Sequence, residues 1–295
     1  MYELTQLSEH VYRIQSPAAI GLVKLNDTDV CLIDSGNDKD AGRKIRKLLD
    51  ENGWTLKTIY NTHSNADHIG GNQYLQKQTG CKIYAPGIEA SFTNDPLLEP
   101  SFLYGGFPCK ELRHKFLMAK ESEAQKLTDK DLPKGWKRIP LPGHFFEMEG
   151  FRTQDDIVFL ADCLSSKETL DKYQIGFIYD VKAYLETLEA IKNMKAALFV
   201  PAHATPTKEI ADLSQYNIDK VHEIAEAILE ICQTPTTAEE LQKQLFDRYG
   251  LLMNFEQYVL IGSTIRSYLS WLKEEKRMEA EFKDNRLLWK SIPAV

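Results

Sequence analysis

The chain has 295 residues, room for one large α/β domain and a smaller appendage. Its 43% apolar and 27% charged residues are ordinary for a globular protein. A net charge of −7 gives no support for nucleic-acid binding by overall charge, and no apolar run approaches the roughly 20 residues that cross a bilayer.

The start, Met1 to His10, lacks a basic segment followed by an apolar one, so no signal peptide is expected. Five widely spaced cysteines without a Cys-x-x-Cys pair read as reduced thiols of a cytoplasmic protein. Cys31 and Cys163 fall in apolar strand-like runs and read as small buried hydrophobes, although Cys163 directly follows a candidate ligand.

In chain order, Val11–Ile14, Ala19–Leu25 and Val30–Asp34 are short β-prone runs. Asp40–Glu51 carries Ile45, Leu48 and Leu49 on one helical face, with Gly53 to close it. Lys57–Tyr60 is a strand that delivers His63 into a loop; Ile69–Gln78 is helical and Lys82–Ala85 is another strand.

Residues 88–133, with Pro96, Pro100, Gly105, Gly106 and Pro108, break the rhythm. They read as a lid-like insertion outside the sheet, containing a helical stretch Cys109–Leu127. Phe102, Tyr104, Phe107, Phe116 and Met118 are candidates to line a substrate pocket, packing of the segment being the plainer alternative. Arg113, His114 and Lys115 could hold an anion or simply face water.

Strands are expected at Trp136–Leu141, Asp156–Leu160 and Ala197–Val200, with a helix over Val181–Asn193, so residues 1–210 form a layered α/β domain. Residues 211–295 turn helical: Ile218–Cys232, a helix capped by Thr236-Thr237-Ala-Glu239-Glu240 and ended by Gly250, then Phe255–Lys276. A hairpin over Met278–Lys290 follows, turning at Lys283-Asp284-Asn285, with Phe282, Leu287 and Trp289 as its core. Three helices and a hairpin give a winged-helix outline.

Chemistry concentrates in the loops after strands. His63, Asn65, Asp67 and His68 stand at i, i+2, i+4 and i+5, the spacing of a His-x-His-x-Asp-His metal cradle with its middle histidine exchanged for an amide. His144 follows Pro142-Gly143, Asp162 follows Ala161, and His203 follows Pro201-Ala202. Imidazole and carboxylate together suit zinc or, less selectively, iron or manganese.

With Leu32-Ile-Asp34-Ser-Gly36 added, these five stations resemble a metallo-β-lactamase-fold hydrolase over about residues 1–210. The resemblance implies an αββα sandwich. It assigns His63, position 65 and His144 to one metal and Asp67, His68 and His203 to a second, with Asp162 bridging and Asp34 supporting the metal loops by hydrogen bonds. Two departures stand out. Asn65 offers a neutral amide oxygen, a weaker zinc ligand than imidazole. Phe145-Phe-Glu147-Met-Glu149 replaces the family's threonine and glycine-serine turn, so Glu147 or Glu149 could enter the site, exposed loop carboxylates being the plainer reading.

Three readings stay open: two metals, one metal on Asp67, His68, His203 and Asp162 with His63 and His144 handling protons, or a decayed site. Both active readings imply metal-assisted hydrolysis of an ester, thioester, lactone, amide or phosphoester in a small-molecule substrate, with Asp67, His63 and His144 as catalytic candidates and Tyr104, Phe107 and Arg113 toward the substrate. β-Lactam hydrolysis is not implied by the fold name. The C-terminal outline resembles the winged-helix tail of some family members, including a group with endoribonuclease activity, so nucleic-acid processing is an alternative. Against it, residues 234–295 hold nine Lys/Arg and nine Asp/Glu, where a nucleic-acid face would be basic. A non-catalytic scaffold and a homodimer are further alternatives.

Overall fold

The computed structural model describes residues 2–293. One mixed sheet runs in sequence order from β1 (Leu4–Gln6) through β2 (Val11–Ile14), β3 (Ile20–Lys24), β4 (Asp29–Ile33), β5 (Thr55–Tyr60) and β6 (Lys82–Ala85) to β7 (Ala124–Lys126). The second sheet holds β8 (Lys137–Pro140), β9 (Glu149–Arg152), β10 (Ile157–Ser165) and β11 (Leu198–His203).

Alternation along the strands creates the layers. Val23, Cys31 and Ile33 of the first sheet meet Phe151, Ile157 and Phe159 of the second in one apolar cluster between the sheets. The opposite faces point outward. Leu22 and Leu32 pack under α1 (Lys39–Glu51) and α3 (Asn72–Thr79), while Val158 and Leu160 pack under α7 (Val181–Lys192) and α8 (Ala211–Ile231). The result is the expected αββα sandwich.

Local signals set the ends of these elements. Asp38 caps α1 by accepting from Ala41 N at 2.9 Å, and Thr237 caps α9 (Ala238–Tyr249) by accepting from Glu240 N at 3.2 Å. Gly250 then closes α9 in the left-handed region at φ 63°. After α10 (Phe255–Glu274), β12 (Met278–Lys283) and β13 (Arg286–Ser291) form a hairpin whose turn residues Asp284 and Asn285 both have positive φ, the geometry of a type I′ turn. α8, α9 and α10 share one apolar cluster with α7 and β10, so the C-terminal helices grow from the outer layer of the sandwich. None of the described helices is long and apolar enough to cross a membrane.

Three expectations are corrected. Cys109–Leu127 is not a helix: it holds a single 3-10 turn, Lys110–Leu112, because Leu112 and Leu117 are drawn down separately onto Val259 of α10. Nor does the 88–133 segment lie outside the sheet. Its residues Ala124–Lys126 pair in parallel with β6, fixed by the Asn94 side chain, which bonds both the N–H and the C=O of Ala124. In the hairpin, Phe282 is 84% exposed and Leu287 also faces solvent, while Trp289 packs against the helices; two strands alone cannot bury both faces.

Candidate metal centre

Each potential ligand is delivered by the end of a strand. β5 leads to His63, and the short helix α2 (Ala66–Ile69) presents Asp67 and His68. His144 follows β8 after a turn that needs Gly143: its φ is 118°, and an added Cβ would lie 2.3 Å from the Tyr184 backbone. Asp162 lies within β10 just after a register shift at Ala161, whose φ of 49° is rare for alanine and re-aims the following side chain. His203 is the last residue of β11.

These side chains converge. The ligand atoms of Asp67, His68, Asp162 and His203 lie within 4.8 Å of one another, as do those of His63, His144 and Asp162, so Asp162 belongs to both groups. His203 Nε2 is 3.1 Å from Asp162 Oδ2 and 3.4 Å from Asp67 Oδ2, and His68 Nε2 is 3.0 Å from Asp162 Oδ1. Atoms bound to one tetrahedral zinc at about 2.0–2.2 Å sit roughly 3.3–3.6 Å apart, so the spacing is close to that of a metal's ligand shell.

The outer nitrogens fix the tautomers. Asp34 accepts from Thr62 N, Thr62 Oγ1 and His68 Nδ1, each at 2.8 Å. With its hydrogen committed to Asp34, the Thr62 hydroxyl accepts from His63 Nδ1 at 3.0 Å. His203 Nδ1 donates to the Pro17 carbonyl at 3.2 Å. All three rings therefore turn Nε2 inward. Among the described residues, His63 Nε2, His68 Nε2 and Asp162 Oδ1 are buried without a properly aligned hydrogen-bond partner. Buried polar atoms left in that state are costly, and a shared cation satisfies all of them. The donor set fits a divalent metal.

Electrostatics agree. Burial lowers His63 well below its ordinary value, helped by His68, and burial also lowers His144. Burial opposes charge on His68 and His203 too, but Asp162 and Asp67 outweigh it, lifting His68 well above its usual range and His203 to about 10. Against burial, His68 brings Asp67 down to about 2, and His203 with His68 holds Asp162 well below the carboxylate range. The buried carboxylates thus favour positive charge beside them, which a divalent ion would supply in place of protons on His68 and His203.

Asn65 lies at this centre, its Oδ1 3.2 Å from His144 Nε2 and its Nδ2 donating to Glu99 Oε1 at 2.7 Å. Other candidates are placed elsewhere. Glu149 pairs with Arg138, and Glu147 accepts from the Ile88 N–H. Tyr104 and Phe107 are exposed, Arg113 stacks on Phe107, Lys115 pairs with Asp38 and His114 with Glu256. A cavity of about 60 Å³ beside His144 and Asp162 is lined instead by Gln174, Phe177, Asn217 and Lys220. Cys163 is fully buried, which pushes its thiol up and leaves it inert.

Two buried carboxyls carry no motif signal. Glu99 is pushed well above its ordinary value by burial, despite donors on Asn65 and Ala66. Glu89 accepts from Ser64 N, Ser64 Oγ and Glu147 N, tying the His63 loop to the His144 loop, and burial raises it to about 7. The folded protein therefore holds the Glu89 proton more tightly than the unfolded chain. Its stabilising share is present below about pH 4.5 and is lost as pH rises through about 7. Chemical denaturation at a series of pH values is expected to show wild type losing stability relative to Glu89→Gln across that window; parallel curves would refute the assignment.

The metallo-beta-lactamase superfamily profile matches residues 14–203. A hydroxyacylglutathione hydrolase from Rhodospirillum rubrum is 31% identical over 80 residues, 27% of this chain and 30% of that protein. One from Hyphomonas neptunium is 51% identical over 37 residues, 12% of this chain and 14% of its own length. The chain thus matches less than a third of the length of these relatives. A metallo-beta-lactamase family protein from Thermus thermophilus superposes with a TM-score of 0.74 at 20% identity, covering 97% of this chain and 100% of that one. A beta-lactamase domain protein from Burkholderia ambifaria gives 0.73 at 16% identity, over 98% and 94% of the two chains. Both likenesses take in the C-terminal helices as well as the sandwich. On the profile match and the shared fold, this chain belongs to the metallo-beta-lactamase superfamily.

Proposed function

We propose that the protein is a metal-dependent acyl hydrolase acting on a thioester of a small thiol. The observation that carries this reading is the convergence of potential ligand atoms from His63, Asp67, His68, His144, Asp162 and His203, with His63 Nε2, His68 Nε2 and Asp162 Oδ1 buried and unsatisfied. His63, His144 and Asp162 would hold one divalent ion, and Asp67, His68, His203 and Asp162 another. When bound, zinc, iron or manganese supplies Lewis acidity and brings the pKa of water to about 7.

The chain's residues divide the remaining work. Burial disfavours the charged form of His63 and His144, which suits them as neutral ligands. Asp67, the most open of the carboxylates in the cluster at 35% side-chain exposure, stays ionised at the mouth of the site, where it can orient a water by accepting its hydrogen bond. Leaving-group chemistry favours a thioester: a thiol of pKa about 8.5 departs as thiolate without a general acid, whereas an amine does not. The relatives named hydroxyacylglutathione hydrolase point the same way, since that name denotes removal of an acyl group from the glutathione thiol.

The test is a substrate panel on protein of verified metal content: an S-hydroxyacylglutathione, an aryl ester, a β-lactam and a phosphodiester. The thioester is expected to be preferred, with kcat/KM of at least about 10⁴ M⁻¹s⁻¹. Cleavage of the phosphodiester alone, or of nothing, would overturn the reading.

A further inference from the structure

We infer that Asn65 is a metal ligand in its own right, with its amide oxygen aimed at the His63–His144 position by Glu99, which acts as a positioning residue. This rests on the metal-centre reading above. Asn65 occupies the N-cap of α2 with extended backbone, where asparagine usually spends its side-chain oxygen on the first turn of the helix. Here it makes no such bond. Its nitrogen instead donates to Glu99 Oε1 at 2.7 Å, while the Ala66 N–H also faces the Glu99 carboxyl. A carboxyl offers an acceptor oxygen in either protonation state, so the amide nitrogen is held on the Glu99 side. The oxygen must then face the opposite way, and it lies 3.2 Å from His144 Nε2. That separation is again close to the ligand–ligand edge of a tetrahedral zinc site, roughly 3.3–3.6 Å.

Glu99 is itself built for rigidity. It is 4% exposed and lies on α5 (Leu98–Tyr104), where Phe102 packs against Phe145, Phe146 and Tyr179, and Leu103 packs against Val259 of α10. Burying a carboxyl is costly, and its side-chain partner here is the amide that stands where the family places a histidine. Accepting from the amide N–H also draws electron density toward the Asn65 oxygen, making it a better donor than a free amide. A mere loss of histidine would need no such support. Glu99 and Asn65 thus carry orientation from the segment over 88–133 to the metal position.

The experiment is titration of the intact, metal-free protein with Co(II) against a competing chelator, following stoichiometry, affinity and visible absorption, with far-UV circular dichroism as a control for folding. Wild type is expected to take two equivalents and Asn65→Leu one. Glu99→Gln should weaken the second binding event at least tenfold and shift the Co(II) absorption while the fold is unchanged. Asn65→His should restore a tight second event and make Glu99→Gln silent in that background. Two equivalents of unchanged affinity in Asn65→Leu, or a single equivalent in wild type, would overturn this inference while leaving a metal centre in place. Wild type binding no metal would bring down the metal-centre reading and this one together. If Glu99→Gln fails to fold, the Asn65→Leu and Asn65→His pair still decides the ligand.

Discussion

Asp162→Asn is expected to lower kcat/KM by on the order of 10³-fold or more and to reduce bound metal below one equivalent. Asp162 belongs to both potential ligand groups, with one carboxylate oxygen 3.0 Å from His68 Nε2 and the other 3.1 Å from His203 Nε2. An amide keeps the size of the side chain but removes a charge and one donor oxygen. Lewis acidity at the reacting oxygen amounts to several kcal/mol of transition-state stabilisation, and each ~1.4 kcal/mol is tenfold in rate. Elemental analysis beside steady-state kinetics checks both parts. Full metal content with near-normal turnover in Asp162→Asn would show that the two groups do not share this carboxylate in function.

Asp34→Ala is expected to destabilise the fold by about 3–5 kcal/mol and to weaken metal binding by roughly 10–100-fold. Its carboxylate is 3% exposed and receives three donors, Thr62 N, Thr62 Oγ1 and His68 Nδ1. Removing it strands all three inside the protein and frees the His63 and His68 rings to rotate or change tautomer. Asp34 also has a φ of 62°, which aspartate tolerates and alanine accepts only at a cost of about 1–2 kcal/mol. Asp34→Asn, which keeps an acceptor and tolerates the same backbone, should fall between the two. Urea denaturation and chelator competition measure the effects, and an alanine variant as stable as wild type would remove the buttressing role.

The parts of the fold legible in the sequence were those with a local cause. Short β-prone runs marked β2 to β6, the spacing of Ile45 and Leu49 marked the buried face of α1, and Asp284-Asn285 marked the hairpin turn. The potential ligands were legible because they stand in short strand-end loops at fixed spacing. What stayed hidden is long-range. β1 and β9 are brief and acquire meaning only by pairing with β2 and β10. β7 is three residues whose place depends on Asn94, thirty positions earlier. The same holds for Glu89 and Glu99, ordinary acidic residues in sequence whose contacts with Ser64 and Asn65 exist only once the segment over 88–133 is folded onto the site. Phe145 and Phe146 read as a departure from a family turn, and their neighbours Phe92, Phe102 and Tyr179 could not be named in advance.

That aromatic cluster has a bearing on how firmly Glu99 is held. Phe102 is wedged among Phe145, Phe146 and Tyr179, and the same stretch of chain is pinned to α10 through Leu103, Leu112 and Leu117 and to the first sheet through β7. A flap so fastened at three points is a wall and not a door. The carboxyl it carries beside Asn65 is set in place in advance, and little disorder is left for a bound ion to freeze out.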